Sequence, residues 1–438
     1  MLGAAAYTEI ARQLDRRRSA AAREWDLTEE VVLIGAGEPI SLPGRGDLTY
    51  PFQAHSEYYY LTDRNRPGGV LAFDPQEGWF DFVAPITEGD RLWSGAPAGD
   101  PEGLTTDALG EWLAARGARP IACLGVAPPA PPAPPDLQPD AELARTLRLA
   151  LSVVRRPKDA LELERMRVAE SATSAAFAAV VPFLRDGVSE REAQIELEVA
   201  ALRAGGDAMA YETIIGSGTN SAVLHFAPTS RRLRDGELVL IDAGAEHRGY
   251  ASDITRTYSV GGRFTAEQAE LHALMRAAEL AAIDRCQAGV EWRDVHLTAA
   301  LVIAEGLVSF GLLRGQPESL VETGAVWCFF PHGIGHLVGL GVRDAGGALA
   351  GREGSPPPFP NLRIDLPLVP GMVVTVEPGI YFVPALLEDP ERRRRHRDEV
   401  AWDRVDGMLD FGGIRIEDNV LITEDGHEVM TEDVPMLG

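Results

Sequence analysis

Four acidic residues and one histidine, Asp242, Asp253, His336, Glu377 and Glu417, each stand at or near the end of a short apolar run. Asp242 closes Leu238-Val239-Leu240-Ile241, and Asp253 lies within a second short strand, Tyr250 to Thr255. His336 lies in PHGIGHLVGL, where the glycines leave little side-chain bulk around the imidazoles. Glu377 ends the strand VTVE, and Pro378-Gly379 forces a turn after it. Glu417 follows Arg415 by two positions in FGGIRIEDNVLIT, so both project from one face of a strand. Taken singly, each has an ordinary explanation: a turn aspartate, a strand-end or strand-surface charge, a hydrogen-bonded core histidine. Five such groups at the ends of apolar strands are harder to account for in that way. Like charges held close together repel, and each tends to keep a proton. Divalent cations remove that repulsion, best as a pair about 3.5–4 Å apart. Four carboxylates and one imidazole form a hard, oxygen-rich donor set that suits Mn, Co, Fe or Zn rather than copper or a thiolate metal.

The elements that must position these groups are legible in outline. The two aspartates lie on strands joined by Glu246-His247-Arg248-Gly249, which reads as a hairpin turn. A turn centred between His247 and Arg248 predicts Asp242 directly opposite Asp253, with Cβ atoms about 4.5–5.5 Å apart. The loop GSGTNSAVLHF sets His225 just ahead of them. Lys158 to Phe183 and Ser189 to Ala204 read as helices, the second capped by Ser189 with Glu192 three residues on. The earlier part alternates strand and helix. Residues 31–40 read as a buried strand leaving an N-terminal polar helix. Val70 to Phe73 and Trp79 to Val83 read as strands about an Asp-Pro-Gln-Glu-Gly turn, and Thr106 to Arg116 as a helix. This is an α/β pattern. Tyr50, Phe52, Tyr58, Tyr59 and Tyr60 are expected in its core. The proline-rich tract Ala127 to Asp140 cannot continue a helix or a central strand and reads as a stiff excursion near a domain border. Helix resumes from Ala141 to Val154 and breaks at Arg156-Pro157, so the border is set near residue 154, giving domains 1–154 and 155–438.

Composition narrows the partners. The 438 residues suffice for two domains, and 45% apolar with 24% charged content is that of a water-soluble protein. Lys plus Arg (41) against Asp plus Glu (66) leaves −25, which argues against nucleic acid or an anionic membrane as the main partner. Cys123, Cys286 and Cys328 are odd in number and widely spaced, which fits a reducing compartment without a disulfide framework. No apolar run approaches the roughly 20 residues of a membrane span. The N-terminus lacks the order of a signal peptide, so a cytoplasmic location is expected.

The array IDAGAEHRGYASDIT, PHGIGHLVGL, VTVEPGIYF and FGGIRIEDN resembles the pita-bread metallopeptidases, the group of methionine aminopeptidase, aminopeptidase P and prolidase. The resemblance covers residues 155–438. Through TYPFQAHSEYYYLT and PGGVLAF the first part resembles the N-terminal domain shared by aminopeptidase P and prolidase, and that domain is absent from methionine aminopeptidase. The resemblance implies an α/β N-terminal domain plus an α+β C-terminal pita-bread catalytic domain. It also implies a centre of two divalent ions, Mn or else Co or Zn. Asp242 would bind one metal, Asp253 and Glu417 would bridge, and His336 and Glu377 would bind the other. A water or hydroxide between the metals would attack the scissile carbonyl. Glu377 would shuttle the proton, while His225 and His332 would hold substrate and stabilise the oxyanion. Tyr211, Thr255 and Arg415 match positions that orient ligands and substrate. The implied substrate is a small peptide with proline at its second position, and the implied assembly a homodimer or homotetramer built through the N-terminal domain, which also bounds substrate access.

Within the group, two features point to prolidase, the Xaa-Pro dipeptidase. Forty residues separate Glu377 from Glu417, a spacing similar to that of bacterial prolidases, and Arg363 stands where prolidase has the arginine that binds the free carboxylate of a dipeptide. The Arg392 to Arg395 run in that excursion reads as a solvated helix face. Arg343, in GLGVRDAGG, replaces a histidine that contacts substrate in the group; arginine is bulkier, permanently charged and donor-only. It either helps bind a carboxylate or blocks the usual pose. The close alternative is an aminopeptidase P acting on longer Xaa-Pro peptides, and the remote one a non-catalytic binding protein on the same fold.

Overall fold

The structure, a computed structural model, describes residues 4–95, 102–126, 139–348, 352 and 362–436. The chain separates into two compact units, Met1–Arg155 and Arg156–Gly438.

The first unit is built on a five-stranded mixed sheet in the order β4-β3-β2-β1-β5. Its strands are β1 (Val31–Gly35), β2 (Val70–Asp74), β3 (Gly78–Val83), β4 (Leu104–Thr105) and β5 (Ile121–Gly125). β1 is buried at every position because both sheet faces are covered, as its unbroken VVLIG run requires. On one face, Val31, Leu33, Val70 and Ala72 pack against Leu109 and Leu113. On the other, Trp25 at the end of helix α1 (Ala4–Trp25) meets Phe73 and Trp79 at 5.8 and 5.6 Å. Helix α2 (Ser56–Thr62) buries Tyr58, Tyr59 and Tyr60, whereas Tyr50 is 50% exposed and Phe52 only half-buried, so the aromatic cluster is smaller than expected. The strand expected over 31–40 stops at Gly35, and Ile40 is 70% exposed. Helices α3 (Glu88–Trp93), α4 (Leu109–Ala114) and α5 (Ala141–Arg155) complete the unit. The proline tract lies outside the described residues apart from its last two positions, Pro139 and Asp140.

The second unit pairs helices with antiparallel strands twice over. Helix α6 (Ala160–Val180) starts at an Asp159–Glu162 capping box, and α7 (Glu190–Arg203) at the Ser189–Glu192 box foreseen in the sequence. Ahead of the first catalytic-type strands stands the short β6 (Ala208–Met209). The two helices bury Phe177, Val180 and Leu197 against Ile215, Val239, Ile241 and Ile254. Those residues belong to the sheet β7 (Ile214–Ser217), β8 (Leu238–Ala243) and β11 (Ile254–Ser259), ordered β11-β8-β7. Because side chains alternate across a strand, Val239 and Ile241 face the helices while Leu240 and Asp242 face away from them. Helices α8 (Ala266–Asp284) and α9 (Trp292–Ser309) form the second layer, followed by α10 (Pro317–Thr323). The larger core joins Leu271, Met275, Val295 and Ile303 of that layer to Val374, Val376, Ile416 and Val420.

The hairpin between β8 and β11 corrects the expected register. β9 (Ala245–His247) pairs with β10 (Tyr250–Ala251), matching His247 with Tyr250. The turn is therefore Arg248-Gly249, both left-handed at φ 53° and 79°, as a tight two-residue hairpin turn demands. Its centre lies one residue later than predicted, so Asp242 pairs with Thr255 rather than with Asp253. Moving a turn by one residue moves the register by two, which preserves the face. The aspartates are diagonal neighbours on one surface.

Two short strands, β12 (Gly347–Ala348) and β13 (Ile364–Asp365), pair in parallel. Next come β14 (Val373–Val376) and β15 (Gly379–Tyr381), and after the excursion β16 (Gly413–Arg415), β17 (Asp418–Ile422) and β18 (His427–Val429). β14 pairs with β17, and β15 with β16. A backbone bridge from Thr255 to Glu417 stitches the two halves together. The excursion folds into α11 (Pro384–Leu387), α12 (Pro390–Arg395) and α13 (Trp402–Asp406), and it adds Leu387, Val400, Val405 and Met408 to the larger core. No helix among the described residues is long and apolar enough to cross a membrane.

Candidate metal centre

The seam between the two halves opens into a cavity of about 490 Å³. Of the residues singled out in the sequence, Asp242, Asp253, His336, Glu377 and Glu417 line it, with His225, His332, Tyr211, Arg343, Arg363 and Arg415, whereas Thr255 does not. Ligand-type atoms of Asp253, His336 and Glu417 lie within 4.8 Å of one another. His336 Nε2 is 3.3 Å from Asp253 Oδ2 and 4.0 Å from Glu377 Oε1.

Backbone contacts explain why these chemically awkward groups hold still. Asp253 sits in the break between β10 and β11, where the Asn419 amide receives its N–H at 3.1 Å and donates to its carbonyl at 2.8 Å. Gly335, beside His336, passes so close to β14 that a Cβ there would lie 2.0 Å from the Thr375 carbonyl. His336 N donates to Thr375 Oγ1 at 3.1 Å, and the Glu377 N–H to the Ile334 carbonyl at 2.8 Å.

A network of neutral and cationic groups surrounds the carboxylates. The Tyr211 hydroxyl lies 2.6 Å from both Asp242 Oδ1 and Asp253 Oδ1. Burial and these two charges hold that phenol well above its usual range, so it remains a donor. Arg415 donates to Asp242 Oδ2 at 2.6 Å, to Thr255 Oγ1 at 3.0 Å and to the Tyr381 hydroxyl at 2.9 Å. Thr255 in turn donates to Glu417 Oε2 at 2.6 Å. Tyr381 Oη lies 2.9 Å from His332 Nε2, while His332 Nδ1 is 2.8 Å from the Gly333 carbonyl. Both nitrogens of His332 are thus engaged, and burial together with Arg415 depresses its pKa to about 3. Among the described residues no hydrogen bond engages His225, which is exposed. Tyr381 and Asn419 were not singled out by sequence reasoning. Their one signal was a polar group inside otherwise apolar strands, GIYF and NVLIT.

The electrostatics fit a bound cation. Burial foremost, then neighbouring carboxylates, raise Glu417 well above the carboxylate range and Glu377 to about 7. Asp242 is raised too, by burial and Asp253 against the pull of Arg415. Burial opposes charge on His336, but Asp253 and Glu377 outweigh it and raise the imidazole. Only Asp242 of the four carboxylates is paired with the Arg415 guanidinium, while the ligand atoms of Asp253 and Glu417 share a space with His336. That is the donor chemistry of a hard divalent metal.

A model of metallopeptidase family M24 matches residues 164–424. The chain belongs to metallopeptidase family M24. Ahead of this M24 domain, residues 14–106 match the aminopeptidase P N-terminal domain. A protein of Botryotinia fuckeliana named a probable Xaa-Pro aminopeptidase is 34% identical over 396 residues, covering 88% of this chain and 86% of its own. One of Ajellomyces capsulatus with the same name is 32% identical over 437 residues, covering 95% and 92%. The structure of E. coli aminopeptidase P with the inhibitor Pro-Leu matches with TM-score 0.78 and 27% identity, covering 97% of this chain and 95% of that one. The protein is thus a metallopeptidase with an α/β N-terminal domain and a pita-bread domain. Dipeptidase naming, expected from the Glu377–Glu417 spacing and Arg363, finds no support among these relatives. The spacing has another cause, since the excursion builds core. Its arginines are spent on structure: Arg392 and Arg395 donate to the carbonyls of Trp327 and Thr323 at 3.4 and 3.1 Å, and Arg393 pairs with Asp406.

Proposed function

We propose that this protein is a Xaa-Pro aminopeptidase, releasing the first residue of peptides that carry proline second. The observation that carries this reading is the presence of the five-residue acidic centre in an M24 domain whose relatives, matched along nearly the whole chain, bear that name. Asp242, Asp253 and Glu417 would hold the first of two divalent ions, and Asp253, Glu417, His336 and Glu377 the second. Bound ions supply a water of lowered pKa and polarise the scissile carbonyl.

The chain's own residues do the rest. Tyr211, Thr255 and Arg415 fix the carboxylates, and such support raises metal affinity by fixing ligand orientation. Glu377 would accept a proton at its carboxylate and return it to the leaving proline nitrogen. His225, exposed and lining the cavity, would donate to the developing oxyanion. His332 orients the same wall, and reaches substrate only by releasing Tyr381. Mn²⁺ is the metal we favour, and a dimer or tetramer formed through the N-terminal unit the assembly.

Hydrolysis of an Ala-Pro dipeptide and an Ala-Pro-Ala tripeptide by the Mn²⁺-loaded enzyme tests the reading. The tripeptide is expected to be cut at the Ala-Pro bond and the dipeptide slowly or not at all. Preference for the dipeptide would restore the dipeptidase.

A further inference from the structure

No hydrogen bond among the described residues engages His225, so its place in the cavity is set by the segment that presents it, residues 217–229. Both ends of that segment are held by one side chain that the metal centre does not use. Glu190, the first residue of α7, is wholly buried. Its Oε1 accepts from the Ser217 N–H at 3.0 Å, the Ser217 hydroxyl at 2.8 Å and the Asn220 amide at 2.9 Å. Its Oε2 accepts from the Thr229 N–H at 3.1 Å and the Thr229 hydroxyl at 2.6 Å. Each oxygen thus closes one end of the segment. Burial opposes a charge here, but the bonds from Thr229, Asn220 and Ser217 outweigh it and hold the carboxyl below its usual range. An ionised, acceptor-only group is what five converging donors require. Helix α7 is already capped by Ser189 and Glu192, so Glu190 is not spent on the helix end. Arg231 reinforces one end by donating to Ser217 Oγ at 2.6 Å. Between the ends, Leu224 and Phe226 flank His225 and pack against Ile214, Leu240 and Tyr381.

Resting on the aminopeptidase reading and its role for His225, we propose that Glu190 is a positioning residue. It clamps the segment that carries His225 and thereby fixes the oxyanion contact, without touching substrate. A displacement of about 1 Å at a reacting centre can cost roughly 100-fold in rate, even when its cause is remote. Glu190→Gln keeps the shape of the side chain but turns one acceptor oxygen into a donor. One end of the segment then meets donor against donor and is released.

The test is a double-mutant cycle on Ala-Pro-Ala hydrolysis by the Mn²⁺-loaded full-length enzyme, comparing wild type, Glu190→Gln, His225→Ala and the pair. We expect Glu190→Gln to lower kcat about ten- to a hundredfold with KM little changed. Once position 225 is alanine, the same substitution should cost less than about threefold. Thr229→Val, at an exposed position, should lower kcat by a smaller factor, and Thr229→Ser, which keeps the hydroxyl, should restore it. Calorimetric Mn²⁺ titration of the metal-free protein should give the wild-type affinity in Glu190→Gln and Thr229→Val. Unchanged kcat in Glu190→Gln, losses that multiply with that of His225→Ala, or a fall in metal affinity that accounts for the lost rate would overturn the clamp. Should Glu190→Gln fail to fold, the same cycle run with Thr229→Val decides. A wild type that cuts Ala-Pro but not Ala-Pro-Ala overturns the aminopeptidase reading alone, and the cycle then judges the clamp on the dipeptide. Hydrolysis of neither peptide overturns both.

Discussion

Tyr211 offers one hydroxyl proton to two carboxylate oxygens, each 2.6 Å away. One proton cannot satisfy both, so the contact holds the pair in place and leaves their charge for a cation to balance. Tyr211→Phe is therefore expected to lower Mn²⁺ affinity roughly 10–100-fold, the usual effect of removing a group that orients metal ligands. Calorimetric titration of the metal-free protein reads this directly, and an unchanged affinity would show that Tyr211 is only packing. At this scale the sequence brought out residues that the fold gathers, since all five candidate ligands line one cavity. Tyr381 and Asn419 were not brought out, because a polar side chain in a buried strand declares its role only through the contact it makes. Asn419 acts on the backbone of Asp253, 166 positions away in the chain, and no local pattern reveals such a partner.

Elements succeed or fail on where the chain turns. The sequence marked a turn over Glu246–Gly249, but placing its centre needed the left-handed conformations of Arg248 and Gly249. Arginine is an unusual first residue for such a turn, and its N–H is held by Asp207 Oδ2 at 2.8 Å. Two glycines of this hairpin carry different burdens. A Cβ on Gly244 would lie 1.7 Å from the Ser252 carbonyl, a backbone atom that cannot swing aside. At Gly249 the left-handed φ of 79° is itself a burden, worth about 1 kcal/mol for a residue with a side chain. Gly249→Ala should thus shift the denaturant midpoint modestly, while Gly244→Ala should yield protein that is largely unfolded or severely destabilised. Equal midpoints for the two variants would contradict the hairpin geometry described here. The Ser189–Glu192 capping box, by contrast, was readable from four residues, since its partners are local.

On the scale of the whole molecule, the two α-helical layers bury titratable groups that are not candidate metal ligands, and these tie stability to pH. His296 is fully buried and stacked on Trp327 at 5.2 Å, and burial, with His332 adding to it, pushes its pKa down to about 3. In the unfolded chain the same imidazole titrates near its ordinary 6.5. Between those values the unfolded state binds more protons, so this group's contribution is intact above that ordinary value and lost as pH falls through the window. Glu170 has the opposite sign. Burial raises it well above the carboxylate range, and neither of its oxygens has a hydrogen-bond partner among the described residues. The folded state then holds a proton that the unfolded state releases, and stability is lost as pH rises above the ordinary carboxylate value. Denaturation across pH should show wild type losing stability relative to His296→Phe on acidification, and relative to Glu170→Gln towards neutrality. Parallel curves for wild type and either variant would contradict the corresponding assignment.

The division into two parts was also legible at this scale, because strand–helix alternation and the long helices after Ala141 have different periodicities. What the spacing of Glu377 and Glu417 meant was not. Forty residues look alike whether they measure a substrate or fill a core, and burial of Leu387, Val400 and Val405 decides for the core.

The central claim is that Asp242, Asp253, His336, Glu377 and Glu417 make a two-metal peptidase centre. The most direct test is Mn²⁺ titration of chelator-treated protein while following cleavage of a Xaa-Pro tripeptide, with Asp253→Asn as comparison. The account predicts no cleavage without metal, activity that saturates near two ions per chain, and loss of at least about a thousandfold in the variant. Cleavage that survives chelation, or an Asp253→Asn enzyme that binds two ions and works normally, would contradict it.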